Sequence, residues 1–210
     1  MRLLLIVSFF FTFKTIYGQY GNYVPSQQKF PFDLWHDGKL VLDTGDTLRG
    51  NIKYDLQDLL QVRHANRLES FSARKVLFFE IFDQYYKRYR QFYSLPYSST
   101  GGYKTPVFFE LLTEGKITVL TREKLEYRSY TYSPFSYGGY VNRLVLVDTY
   151  FLLKENGVIE SFTGKKSDWL DLMRTKETEV HAFAKGNRLD FDRKYDVKQI
   201  IDYYNTFFPK

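Results

Sequence analysis

The chain contains no cysteine. Disulfides, zinc–thiolate sites, thiol nucleophiles and a lipid-modified N-terminal cysteine are excluded with it. Cohesion must therefore come from the core. Histidine is scarce too: His36, His64 and His181 are scattered, none with a second histidine at ligand spacing. Glu177 and His181 lie four apart on a predicted helix, but a zinc site needs three or four converging ligands. No serine sits in a Gly-x-Ser-x-Gly elbow, and no glycine-rich phosphate loop is present. No cofactor or metal is expected. Long apolar runs are also missing. Residues 3–13, broken only by Ser8 and Thr12, fall well short of the ~20 residues that span a bilayer.

That short run fits a different role. Arg2 precedes it, and Lys14, Thr15, Ile16 and the small Gly18 follow, which is the layout of a secretory signal peptide. Residues 1–18 are predicted to be an export signal cleaved after Gly18, leaving Gln19 as the first residue. The expected location is the periplasm, the outer envelope surface or the exterior. The formal net charge of +6 falls to +4 when Arg2 and Lys14 leave with the signal. So mild an excess names no partner, and export argues against nucleic acid.

What the chain has in quantity is aromatic side chains: 19 Tyr, 20 Phe and 2 Trp among 210 residues. Phe and Tyr fit a half-buried pleated surface, so the composition leans to β structure. Residues 19–35, with two prolines and no clean period, read as an extended N-terminal arm. Strands are then predicted at 39–43, 47–54, 60–64, 75–82, 85–93, 107–113, 116–121, 125–132, 144–154 and 158–162, several joined by Gly-containing turns. Residues 111–124 resemble 152–166 and, more loosely, 42–50; each is strand, Gly turn, strand. The period changes at Ser167, read as the cap of a first helix. A second helix is predicted at 177–185 with Gly186 as its stop. A third is capped by Asp196, with Val197, Ile200, Ile201, Tyr204 and Phe208 on one stripe. The fold class is α+β: a signal (1–18), an arm (19–35), an antiparallel β-meander (36–166) forming a sheet or partly open barrel, and about three short helices (167–210) packed on it.

The turn Gly45-Asp-Thr-Leu-Arg-Gly-Asn-Ile, the segments Phe71-Ser-Ala-Arg-Lys-Val and Phe92-Tyr-Ser-Leu-Pro-Tyr, and the closing Tyr203-Tyr-Asn resemble a family of small exported proteins of Bacteroidetes, as does the Gly18-Gln19 junction. The resemblance implies export and this fold. That family has no assigned activity, so it implies no mechanism.

Asp43-Thr44-Gly45 matches the bare aspartic-protease motif, but that chemistry needs two such carboxylates and this chain has one copy. A hairpin turn is the ordinary reading. Residues 85–93 interleave bases and tyrosines, which here fits a strand in a twisted sheet. Two loops, 97–103 and 132–140, share a Gly-Gly-Tyr ending and a polar lead-in, the chemistry of adaptable recognition surfaces. Tyr97, Tyr103, Tyr137 and Tyr140 are the candidate ligand-binding residues; otherwise they fold back on the sheet. The expected function is a non-enzymatic binding or structural module for an envelope protein or glycan. The alternative is a hydrolase of an envelope or extracellular polymer, which requires two or more carboxylates converging in a cleft.

Overall fold

The computed structural model describes residues 29–65, 67–131 and 140–208. The predicted signal, most of the N-terminal arm, and Tyr137 lie outside them. Ten strands, β1 (His36–Leu42), β2 (Thr47–Tyr54), β3 (Leu59–His64), β4 (Arg67–Ser72), β5 (Val76–Asp83), β6 (Arg88–Tyr97), β7 (Thr105–Thr113), β8 (Thr118–Thr131), β9 (Tyr140–Leu153) and β10 (Ile159–Phe162), form one open antiparallel sheet. Its order is β10-β9-β8-β7-β6-β5-β1-β2-β3-β4. Helices α1 (Lys166–Leu172), α2 (Glu177–Gly186) and α3 (Lys194–Asn205) follow. This is the expected α+β meander with a helical tail.

The order contains one discontinuity, and it shapes the molecule. β4 is the outer edge, yet β5 pairs with β1, four strand spacings away. On a flat sheet that is roughly 19 Å. The chain from Ser72 to Val76 spans at most about 14 Å, and it is spent in a turn, with the Lys75 amide donating to the Ser72 carbonyl at 2.9 Å. The sheet must therefore curl until the end of β4 meets the start of β5. Inside the curl lies a core of Leu40, Ile52, Leu60, Val62, Phe79, Phe92 and their neighbours. A paired Gly38 and Gly50 accommodates the bend. A Cβ on Gly38 would stand 2.3 Å from the Glu80 carbonyl oxygen, and one on Gly50 2.3 Å from that of Arg63.

On the other half of the same sheet face, Leu112, Val119 and Leu152 pack under Trp169, Met173, Val180, Val197, Ile200 and Ile201. The helical segment is thus part of the core. The Asn205 side chain clamps the β7–β8 turn, accepting from the Ile117 amide and donating to its carbonyl at 2.9 and 3.0 Å. The opposite sheet face carries a smaller cluster around Phe109, Leu120 and Phe151.

Several local expectations change. The predicted strands 116–121 and 125–132 are a single β8, because the two-residue alternation runs on through Glu123. β4 was not expected; Arg67-Leu-Glu-Ser-Phe-Ser is polar and exposed, as an edge strand can be. The strand predicted from 85 begins at Arg88, because the Asp83 carboxylate accepts from the Tyr85 and Tyr86 amides and turns the chain. Residues 31–33 of the predicted arm form a 3-10 turn, with Phe30 and Pro31 buried. Buried His36 ties that turn down: its Nε2 donates to the Pro31 carbonyl and its Nδ1 accepts from the Gln84 amide. Ser167 lies inside α1 and bonds Asp168, so it is no cap. Gly186 is the last residue of α2, and the left-handed backbone falls at Arg188 instead. Asp196 sits in the first turn of α3 and accepts from the Asp190 amide. The apolar stripe of α3 is as predicted through Tyr204; Phe208 lies beyond the helix, which ends at Asn205, and packs against the same core.

Replacing Gly38 by Ala should push β1 from β5 and cost about 1–3 kcal/mol, the usual price of overpacking, read as a lowered urea midpoint at unchanged slope.

Candidate functional site

Between the two cores on the shared sheet face lies a band of buried charge. Alternation places it there: Phe108, Glu110 and Leu112 of β7 point inward, as do Phe92 and Arg90 of β6, Thr121 and Glu123 of β8, and Asp148 of β9. Arg90 is the centre, its side chain 1% exposed. Its guanidinium meets Glu110 through two bonds of 3.0 and 2.6 Å, Asp83 at 2.8 Å, Glu123 at 2.7 Å and the Tyr54 hydroxyl oxygen at 2.8 Å. Tyr54 in turn donates to Glu123 at 2.8 Å. From α3, Lys194 Nζ donates to Glu110 and Asp148, each at 2.7 Å. Thr121 adds a hydroxyl to Glu110. Tyr86, Tyr195 and Arg88 close the outer side, with the Arg88 guanidinium 3.5 Å over the Tyr195 ring.

The electrostatics follow from that packing. Burial alone would raise the Glu110 carboxyl, but Arg90 and Lys194 outweigh it and hold it at about 2. Burial would lower Lys194, yet Glu110, Asp148 and Glu123 push it above the usual lysine range. At Asp148 burial prevails and its carboxyl is raised, Lys194 notwithstanding. Burial, with a smaller push from Glu123, raises the Tyr86 phenol to about 12.

Four carboxylates therefore converge, as a hydrolase needs, but the space beside Glu110 and Glu123 is about 30 Å³. That is room for about one water. Glu110 is ionised and doubly paired, so it has no proton to donate as a general acid. The arrangement is a clamp joining β5 to β9 with α3. Among the described residues no group of three or more His, Asp or Glu is placed to hold a metal. Asp43, Thr44 and Gly45 make the hairpin turn, with Gly45 at φ +91°.

On the opposite sheet face a groove of about 580 Å³ opens beside the loop at residues 98–104. Its lining includes Tyr97, Ser98, Tyr103, Thr105, Arg122 and Phe151. Tyr97 and Phe151 meet edge-to-face at 5.3 Å, and both lean on Phe109. Tyr103 is 89% exposed at the lip. Arg122 is already neutralised by Asp58, with bonds of 2.9 and 3.0 Å. The same Asp58 accepts from the Phe108 amide at 2.7 Å, filling the gap where β8 leaves β7. A larger groove, about 700 Å³, lies at the far end among Lys116, Lys154, Glu155 and Leu172. It has no aromatic lining, and its charges pair with each other, so the chemistry favours the smaller one.

Of the predicted binding residues, Tyr97 and Tyr103 thus share a groove, although Tyr97 is half-buried packing rather than a loop side chain. Tyr140 begins β9 opposite Thr131, and Tyr137 lies outside the described residues. The Arg90 cluster was missed. Its signal was charge at inward positions, Glu110 between Phe108 and Leu112 above all.

Glu110→Gln should cost about 3–5 kcal/mol, the penalty for leaving a buried charge without its partner. Because the folded carboxyl titrates near 2 against an ordinary 4.5, its stabilisation is complete above about pH 5 and lost as pH falls through the folded value. Urea titrations between those limits should show the parent weakening steeply and the variant less so.

Comparison of the chain with family models, characterised proteins and solved structures gives no match.

Proposed function

We propose that this protein is an exported, non-enzymatic binding module whose ligand surface is the groove beside residues 98–104, and that its ligand is a neutral glycan. One observation carries the reading. The buried carboxylates are bound to cations and donors within the fold, whereas the accessible polar groups are hydroxyls over an aromatic floor. Aromatic faces with a few placed polar groups suit a saccharide's apolar face and its ring of hydroxyls. The Asp58–Arg122 pair leaves the groove without net charge, which favours a neutral polymer over an acidic one. Export rests on residues 1–18, and mass spectrometry of the mature protein should find Gln19 at its N-terminus.

The hydrolase reading draws no support from carboxylates that are each paired within the fold, with about one water's space beside Glu110 and Glu123. Tyr103→Ala removes an exposed ring that no core residue needs, so stability should stay within about 0.5 kcal/mol. Loss of one stacked ring should weaken binding by roughly fivefold to tenfold. Titration calorimetry against neutral and acidic oligosaccharides checks both. Unchanged binding in the variant, or preference for the acidic series, would sink this proposal.

A further inference from the structure

The sheet face that carries the groove continues beyond it. Tyr97, in the groove lining, is one of three tyrosines on that face of β6, and Tyr93 and Tyr89 follow at four-residue steps. Four residues of strand rise about 14 Å, so the three rings mark a line about 27 Å long. The register puts their neighbours on the same face. Tyr97 stands opposite Thr105 and Tyr93 opposite Phe109, which underlies the groove. On the other side Tyr93 stands opposite Phe78, and Tyr89 opposite Phe82. These rings meet with centroids 5.0 and 5.2 Å apart. Tyr89 is 71% exposed and Tyr93 half-buried. The helices pack on the opposite face, so among the described residues no second layer covers this one.

The groups between the rings select the occupant. Leu95 separates Tyr97 from Tyr93, and Gln91 separates Tyr93 from Tyr89. Opposite Gln91 is Glu80, and beyond it Lys39 of β1. Glu80 accepts from Gln91 at 2.8 Å and pairs with Lys39 at 3.3 Å. It is the only charge on this face of β5, β6 and β7. A dry interface with a second copy would take Glu80 and Lys39 out of water, which is costly even for a pair. A neutral sugar chain avoids that cost. Its ring faces stack on aromatic side chains, and its hydroxyls bond carboxylate, amide and phenol, directly or through water.

We propose that the glycan binds as an extended chain lying along β6, one end in the groove and successive sugars over Tyr97, Tyr93 and Tyr89. This rests on the groove reading and deepens it. The site selects for chain length: a disaccharide occupies the groove alone, whereas a chain of several sugars reaches Tyr89.

The test is titration calorimetry of the full mature chain with malto-, laminari- and cello-oligosaccharides, from disaccharides to octasaccharides. Affinity should climb with length in at least one series. Tyr89→Ala removes an exposed ring and should keep the parent's melting temperature. It should bind long chains about fivefold more weakly, the worth of one stacked ring, and disaccharides as the parent does. Tyr103→Ala should weaken both. Affinity that does not climb with length, or a climb that survives Tyr89→Ala, overturns the extended site and leaves the groove reading standing where Tyr103→Ala still weakens binding. An equal loss for disaccharides in Tyr89→Ala overturns it too. No binding in any series, or binding indifferent to both variants, removes the groove reading and this one with it. A parent that light scattering shows to be a dimer, dissociated by Tyr89→Ala, assigns the face to a second copy and overturns the proposal.

Discussion

The structure depends on one buried guanidinium. Arg90 stands where a curled sheet core ends and a helix-covered core begins, and each side supplies it with ligands. Tyr54 and Asp83 come from the curled half, Glu110 and Glu123 from the other. A side chain with five donors in a fixed plane can hold such a set; a lysine ammonium, with three donors on a flexible stem, could not match the two-bond grip on Glu110. Taking these charges out of water costs several kcal/mol per ion before their attraction offsets it. The cluster is therefore better understood as a constraint on geometry than as a source of stability. A shift of one residue in β6 would put Arg90 on the outer face and leave several carboxylates unpaired, so the ladder has one acceptable register.

Lys194 shows how this constraint reaches into the helical segment. A lysine in the first turn opposes the helix dipole, which favours negative charge at that end. Glu110 and Asp148 overcome the preference and fix where α3 begins. At its other end Asn205 imitates a β-ladder partner for Ile117. Between these two polar contacts, Val197, Ile200, Ile201 and Tyr204 need only be apolar and of suitable size. Position is set by the ends, and adhesion by the middle.

Much of this was legible in the sequence because it is local. The alternation at 47–54, the Gly turns and the stripe of α3 each depend on neighbours within a few residues. The illegible parts depend on distance. The curl follows from a strand order in which β5 pairs with β1, and nothing within β4 or β5 announces it. Residues 85–93 displayed their alternation openly, but Arg90 acquires its role only when Glu110, Glu123 and Lys194 arrive from elsewhere. Helix caps failed for another reason. Ser167 and Asp196 are of the capping type, but α1 begins two residues and α3 three residues earlier than those caps imply, α3 because its first residue, Lys194, is drawn into the charge cluster. Tyr97 reads from the sequence as a loop side chain, because its packing on Phe109 and Phe151 exists only once β6, β7, β8 and β9 lie in order.

The charge cluster also bears on how this chain can fold. Its members run from Tyr54 to Lys194 in sequence, so most of the chain must be present before the last carboxylate finds its cation. Two cores that look separable in space are therefore not separable in time. The curled half, formed alone, would hold Asp83 and Arg90 without the carboxylates of Glu110 and Glu123, and neither half can reach its final energy first. Such a molecule has no halfway house: it is driven to gain or lose structure as one unit, with little room for a stable fragment.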